Sequence, residues 1–594
     1  MALIEDYALI GDCETAALVG KDGAIDWMCF PRFDSPAAFA ALLGREKHGR
    51  FRIAPRADVR SVSRCYRRDT LVLETRFETS SGAVTLVDFM PVRTGVADLV
   101  RIVRGERGTV DMGLDLCPRF DTGYTAPWFS LVDGGALAIA GPDALWLTTS
   151  LPLELTDRGI EGSFTVHEGH EVNIHLCWSP SHLPKPKTAD AREVLQRTTE
   201  FWQSWSRSCR YEGRYRDAVS RSMITLKALT YAPTGAIIAA PTTSLPEHFG
   251  GVRNWDYRYC WLRDATFTLL ALMEAGYEAE ALAFRKWLLR STAGKPSQVQ
   301  IMYGVGGERR LYERELPWLP GFEGSAPVRI GNAAYEQVQL DVFGEVMDVL
   351  HQCWRRGLGF DDFGWQLERV MMDFIEDAWH LPDEGIWEVR GGPRHFTHSK
   401  VMAWVAVDRA VRAVERYGME GPVDEWRALR AQIHEDVCRH GYDAERGAFV
   451  QFYGSKHLDA SLLTLPLVGF LPVTDERIRG TVEAVQRELT RDGFVSRYQN
   501  APAVDGLPSG DAAFLLCSFW LADCLGLMGR EREARAIFDQ VLAVRNDVGL
   551  LSESYDVRRR RLAGNFPQAF SHVGLVTTAR LFQREKVYPD ERAD

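Results

Sequence analysis

The chain has 594 residues, of which 46% are hydrophobic and 25% charged, and a formal net charge of −11. That length exceeds one ordinary core and points to at least two domains. The acidic balance excludes nucleic acid as a main partner, which would call for a basic face, and no run of 18 uninterrupted apolar residues offers a membrane-spanning helix.

The opening "MALIEDYALIGDCETAALVG" has Glu5 and Asp6 where a signal peptide would carry basic residues. Eleven cysteines are scattered without a CxxC pair, which fits free thiols in a reducing compartment. A cytoplasmic protein is the expectation. Up to about residue 185 the chain alternates apolar and polar residues, as in "TLVLETRFETSSGAVTLVDFMPV" and "SFTVHEGHEVNIHLCW". Short runs punctuated by Gly, Asp and Pro predict an antiparallel β-sandwich over 1–185. The Pro-rich "SPSHLPKPKTAD" and the helical "AREVLQRTTEFWQSWSRSC" form a linker with helix at 186–213. From 214 to 594 the pattern is helical. Helices are expected at 214–232, 264–276, 333–356, 363–380, 399–417, 423–440, 458–469, 475–490, 510–528, 531–545 and 567–584. That number fits a closed double ring of helices with long loops gathered at one end.

Three stretches carry candidate chemistry. In "GGVRNWDYRYCWLRDATFTLL" (250–270), Trp255, Tyr257, Tyr259 and Trp261 alternate with polar residues, which would place four rings on one side of an extended segment. Arg263 and Asp264 follow, a guanidinium fork and a carboxylate suited to sugar hydroxyls, or equally to a structural pair. In "LPDEGIWEVRGGPRHFTHSK" (381–400), Asp383, Glu384 and Glu388 lie near Trp387, with Arg390, His395 and His398 beyond. A carboxyl beside an indole in a partly apolar loop would have its pKa raised, as a general acid needs. In "LLSESYDVRRRRLAGNFPQAFSHVGL" (550–575), Glu553 has polar neighbours and is expected to stay ionised, as a general base needs. Two carboxylates of opposed character are the pattern of glycoside hydrolysis. The four arginines at 558–561 read as a solvated turn. The glycines of "YGVGGERR" lack a Walker lysine, and His395 with His398 lacks a third metal ligand. No cofactor or metal is called for.

These motifs, in their order, resemble glycoside hydrolase family 15, the glucoamylase family, and within it the trehalase-like bacterial branch. The resemblance runs nearly the full length, through "NWDYRYCWLRDA", "PVRIGNAAYEQVQLDVFGEVMD", "DEGIWEVRGGPRHFTHSKVMAWVAVDRA", "AFLLCSFWLADCL" and "LLSESYDV…GNFPQAFSHVGL". It implies a β-sandwich followed by an (α/α)6 barrel, and a pocket for one terminal glucose of a small α-glucoside. It further implies an inverting reaction with Glu388 as general acid and Glu553 as general base. Tyr257 would help position the water, Arg263 and Asp264 would hold hydroxyls, and Trp261 and Trp387 would form walls; Arg390 and His395 are further candidates for substrate contact. Two departures from the family stand out. Val389 replaces the second acidic residue that fungal members carry after the acid, which suits short substrates such as trehalose, isomaltose or malto-oligosaccharides. Asp511 replaces an expected Glu. The rivals are an inverting phosphorylase, in which phosphate replaces water and no base is needed, and an inactive sugar-binding protein. An oligomer is compatible with the sequence, which does not define its order.

Overall fold

The computed structural model describes residues 2–358, 362–499, 505–508, 510 and 512–583. The Asp511 departure therefore lies outside the described residues.

The first 180 residues build fifteen strands, paired antiparallel throughout. The organising element is the 21-residue strand Ala97–Cys117. Its first half pairs with Gly82–Phe89 and Glu171–Pro180, and its second half with Arg50–Pro55 and Ile160–His167. One strand thus serves both layers, where the sequence pattern predicts several short ones. The change of partner falls at a bulge: Ala83 faces Arg107 but Val84 faces Gly105. Gly105 is required there, because a Cβ would meet the His167 carbonyl oxygen at 2.1 Å. Inward residues such as Leu86, Leu99, Val103, Leu114 and Leu176 are fully or almost fully buried.

Among the described residues twelve helices follow: α1 (Ala191–Ser206), α2 (Arg216–Ala228), α3 (Leu262–Ala275), α4 (Glu278–Thr292), α5 (Asp341–Arg355), α6 (Asp362–Ala378), α7 (Thr397–Tyr417), α8 (Val423–His440), α9 (Glu476–Glu488), α10 (Leu515–Leu527), α11 (Glu531–Ala543) and α12 (Ala569–Leu581). Helix α1 is capped by Asp190, whose carboxylate accepts from the Arg192 and Glu193 amides at 3.0 and 3.1 Å. It does more than link. Ala191, Val194 and Leu195 pack on Val72, Val87, Phe89, Val100 and Ile102, closing the outer face of the sheet.

The other helices close into a double ring. Helices α3, α5, α7, the 3-10 turn Ala460–Thr464, α10 and α12 touch in sequence, and α12 returns to α3. Helices α2, α4, α6, α8, α9 and α11 pack around them. The inner members are buried on nearly every side, as α5 and α10 show. This is an (α/α)6 barrel behind a β-sandwich. Helix α4 was not among the segments expected, although "EAEALAFRKWLLRST" has no Gly or Pro and buries Ala281, Phe284, Trp287 and Leu288 at helical spacing. The segment 458–469, expected as a helix, holds only the 3-10 turn, since Pro466 blocks an α-helix just beyond it. The segment 333–356 is broken before Asp341: the Val338 and Leu340 amides donate to Glu384 and Asp383 rather than along a helix.

The sandwich braces the loop before α3. Trp27 Nε1 donates to the Pro241 carbonyl at 2.7 Å, and Arg258 Nη1 donates to the Ser35 carbonyl at 2.7 Å. Arg258 and Asp256, both buried, are joined by a two-pronged pair. This holds Tyr257 and its neighbours from behind.

Candidate active site

A cavity of about 720 Å³, partly open to solvent, lies at the N-terminal ends of the inner helices. Its wall comes from the segments that precede α3, α5, α7, α10 and α12. Seven of the sequence-predicted residues line it: Tyr257, Trp261, Arg263, Asp264, Trp387, Glu388 and Arg390. Glu553 lies directly behind, bonded to Tyr257. His395 is not brought to the cavity. It is exposed and its ring stacks at 6.0 Å on Tyr453, because Phe396, the next residue, takes the buried place at the start of α7.

The four alternating rings divide. Trp255, Tyr257 and Trp261 line the cavity, while Tyr259 does not and is buried. The reason is that 255–261 is not a continuous strand; only Cys260 and Trp261 pair regularly, with Tyr303 and Met302. Two guanidiniums approach the Trp255 ring, Arg390 at 4.2 Å and Arg329 at 4.7 Å from its centroid. Arg390 is anchored to Glu313 at 2.8 Å.

Glu388 occupies a tight turn with φ +57°, its amide donating to the Gly385 carbonyl at 3.0 Å. Its carboxylate accepts from Trp261 Nε1 at 2.7 Å and lies 3.5 Å from Arg263 Nη2. The indole in contact is therefore not the adjacent Trp387, whose Nε1 instead donates to Asp459 at 2.9 Å. Arg263 also donates to the Ile386 carbonyl and, through Nε, to Asp264 at 3.1 Å. Burial pushes the Asp264 carboxyl up to about 6 against the pull of Arg263. Asp341 and Asp383, buried beside this group, are likewise pushed up, to about 6 and about 7. Burial, aided by Arg263, brings His398 down to about 3, so it is neutral.

Glu553 is fully buried. It accepts from the Tyr257 hydroxyl at 2.9 Å and from the Asn565 amide at 3.1 Å. Asn565 is itself fixed: its side chain accepts from Thr242 and donates to the Trp255 carbonyl at 3.0 Å. Glycine is needed at 564 because a Cβ there would lie 2.4 Å from Glu553 Oε2, and the backbone has φ +74°. The expectation of an ordinary, ionised carboxylate is corrected here. Burial, then the nearby Glu247, hold the Glu553 carboxyl well above the usual range, against Arg497, the Asn565 amide and the Tyr257 hydroxyl.

Several lining residues escaped the sequence reading, among them Glu247, Arg253, Arg497, Tyr498, Asp505 and Phe514. Arg253 pairs with Asp505 at 2.6 Å, and the Tyr498 hydroxyl donates to the same carboxylate at 3.0 Å. They lie on loops without a periodic signal; only the run "SLPEHFGGVRNW" preceding the aromatic stretch could have drawn attention to Glu247 and Arg253. Of the arginine run, Arg559 pairs with Asp556 and Arg561 with Glu323. Among the described residues no group of three or more metal-binding side chains occurs, and no helix is long and apolar enough to cross a membrane.

Carboxyls, guanidiniums and rings thus converge at one end of an (α/α)6 barrel. Residues 213–580 match glycosyl hydrolases family 15, and residues 1–171 match the trehalase-like N-terminal domain. The chain belongs to glycosyl hydrolases family 15 and is a glycoside hydrolase. It is 39% identical to a trehalase of Mycobacterium tuberculosis, over 96% of this chain and 88% of the relative. It is 35% identical to a trehalase of Thermoplasma volcanium, over 97% of this chain and 93% of the relative. An isomaltose glucohydrolase of Kribbella flavida is 28% identical over 52% of this chain and 75% of its own. The structure of a bacterial glucoamylase complexed with acarbose superposes with a TM-score of 0.73 at 13% identity, over 98% of this chain and 94% of that one.

Proposed function

We propose that the enzyme hydrolyses a short α-glucoside, trehalose first among them, with inversion at the anomeric carbon. The observation that carries this is the pairing of Tyr257 and Trp261. Four residues apart, with rings 5.2 Å between centroids, each holds one carboxyl: Trp261 holds Glu388 and Tyr257 holds Glu553. Glu388 protonates the glycosidic oxygen as its bond to carbon breaks. Glu553 accepts a proton from the water that attacks the opposite face of the sugar. Inversion requires the two carboxyls to stand roughly 6.5–9.5 Å apart, leaving room for that water. Arg263 and Asp264 would hold hydroxyls of the reacting glucose, with Trp261 and Trp387 as walls. Trehalose ranks first because the trehalase relatives match almost from end to end, whereas the isomaltose glucohydrolase matches about half of the chain. All eleven cysteines are unpaired, which supports a cytoplasmic location.

Proton NMR of the protein with trehalose, in the absence of phosphate, tests this. Inversion releases one β-glucose and one α-glucose from each trehalose before mutarotation. Two α-glucoses would exclude inversion. Glucose from isomaltose or maltose alone would move the substrate, and glucose phosphate formed only on adding phosphate would establish a phosphorylase.

A further inference from the structure

Two carboxyls stand on the base side of the cavity, not one. Glu247 lines the cavity, whereas Glu553 behind it has no exposed surface. The segment bearing Glu247 is tied to the base through one glycine: the Gly564 amide donates to the Pro246 carbonyl at 2.7 Å, and Gly564 is the residue pressed against the Glu553 carboxyl. The Glu247 backbone is fixed at both ends, its amide donating to the Arg253 carbonyl at 3.1 Å and its carbonyl accepting from the Ala512 amide at 3.3 Å. Its carboxylate accepts from Arg497, whose guanidinium lies 5.7 Å from the Trp387 ring and 5.4 Å from that of Phe514. The pair therefore spans from the base to the wall that adjoins the acid.

We propose that Glu247, held by Arg497, is a positioning residue for the base: its charge decides whether Glu553 is ionised when substrate arrives. This rests on Glu553 being the base. The groups that act on Glu553 are Glu247, Arg497, the Tyr257 hydroxyl and the Asn565 amide. Glu388 acts on Tyr257, and Arg253 is drawn to Glu247. His572, whose Nε2 accepts from the Leu551 amide, is neutral because it is buried. Of these, Glu247 opposes the negative form of Glu553 and Arg497 favours it. Without Glu247, the guanidinium would act on Glu553 unopposed, and the base would stay ionised far into acid. With Glu247 in place, Glu553 binds its proton more tightly. A base of higher pKa takes a proton from water with more driving force, provided the ambient pH lies above it.

The test is the pH dependence of kcat and kcat/KM for trehalose, from about pH 4 to 8, across the ordinary carboxyl range and beyond. Wild type, Glu247→Gln and Glu247→Asp are compared, with thermal melts beside them. Glu247→Gln should move the acid limb down by about one pH unit or more and lower the plateau kcat by less than about 100-fold. Glu247→Asp should leave the limb in place. If Glu247→Gln does not fold, Arg497→Gln should move the limb in the opposite direction, upward. An unmoved limb in a folded Glu247→Gln enzyme overturns the proposal. So does a Glu247→Gln variant as inactive at every pH as Glu553→Gln, which would make Glu247 the base itself. Wild-type enzyme inactive on trehalose and on α-glucosyl fluoride would instead remove the hydrolase reading beneath it.

Discussion

The walls that hold the proposed acid and the proposed base present the same kind of side chain in different ways. Glu388 sits on a turn with a left-handed backbone, its carboxyl partly open to the cavity and contacted by an indole N–H and a guanidinium. Glu553 lies just before the short strand Ser554–Asp556, sealed behind a phenol and a backbone amide, with a second carboxyl acting on it. The difference teaches that the chemistry of a glutamate here is assigned by its cage. On the proposed assignment, exposure lets one carboxyl give its proton to the glycosidic oxygen and take another back from solvent. Burial makes the other a strong acceptor that works only once ionised, so activity should rise with pH through a limb above the ordinary glutamate range.

Removing each carboxyl is the largest way to break the comparison. Glu388→Gln and Glu553→Gln should each lower kcat on trehalose by about 10²–10⁴ with the fold retained. α-Glucosyl fluoride separates them, since fluoride leaves as an anion without a proton. Glu388→Gln should keep most of its rate on the fluoride, and Glu553→Gln should lose it there as well. Equal losses on both substrates would mean that the two walls do not divide the work as proposed.

The next effect comes from the backbone that seals the base. Gly564→Ala places a methyl 2.4 Å from Glu553 Oε2 at a φ of +74°. The strain should cost about 1–3 kcal/mol of stability and displace the base. A lowered melting temperature together with a fall in kcat is the expected result; the matching change at Gly250, where nothing crowds the Cβ, should leave kcat alone. Smaller still are the two donors. A hydrogen bond to a charged group contributes about 1.5–3 kcal/mol, so Tyr257→Phe and Trp261→Phe should each cost roughly 10- to 100-fold in kcat/KM. Their pH profiles should diverge: losing the Tyr257 hydroxyl moves the acid limb up, because the bond to ionised Glu553 is gone, while Trp261→Phe leaves that limb in place.

Much of this could be read from the sequence, and the failures have physical causes. Alternation and helical periodicity marked the sandwich and the ring because those patterns follow from which face is buried. Arg263, Asp264, Trp387 and Glu388 were found because they crowd into short motifs beside the start of a helix. What was hidden depends on partners distant in the chain. Pairing of 337–340 with the acid loop broke an expected helix. The environment of Glu553 is made by Glu247, Arg497 and Asn565, and no spacing within "SESYD" announces them. His395 looked like a ligand from its neighbours in sequence, yet the turn into α7 carries it outward.

The smallest expected effect concerns stability, behind the acid wall. Asp341 opens α5, is fully buried, and has its carboxyl pushed up to about 6 by burial despite the attraction of Arg263. In the unfolded chain it titrates near 3.9. The folded protein therefore binds this proton more tightly. Its contribution to stability is fully present below about pH 4 and is lost as pH rises through about 6, by up to about 3 kcal/mol for a shift of some two units. Asp264 and Asp383 are displaced in the same direction, so they share the slope. Asp341→Asn removes one of the three titrations while keeping a side chain of similar size. The melting temperature of wild type should fall between about pH 4.5 and 7.5 through these groups, and the fall should be smaller in Asp341→Asn. A fall of equal size in the two proteins would show that Asp341 is already ionised in the fold, and that Arg263 outweighs the burial that sets the acid wall apart from the solvent.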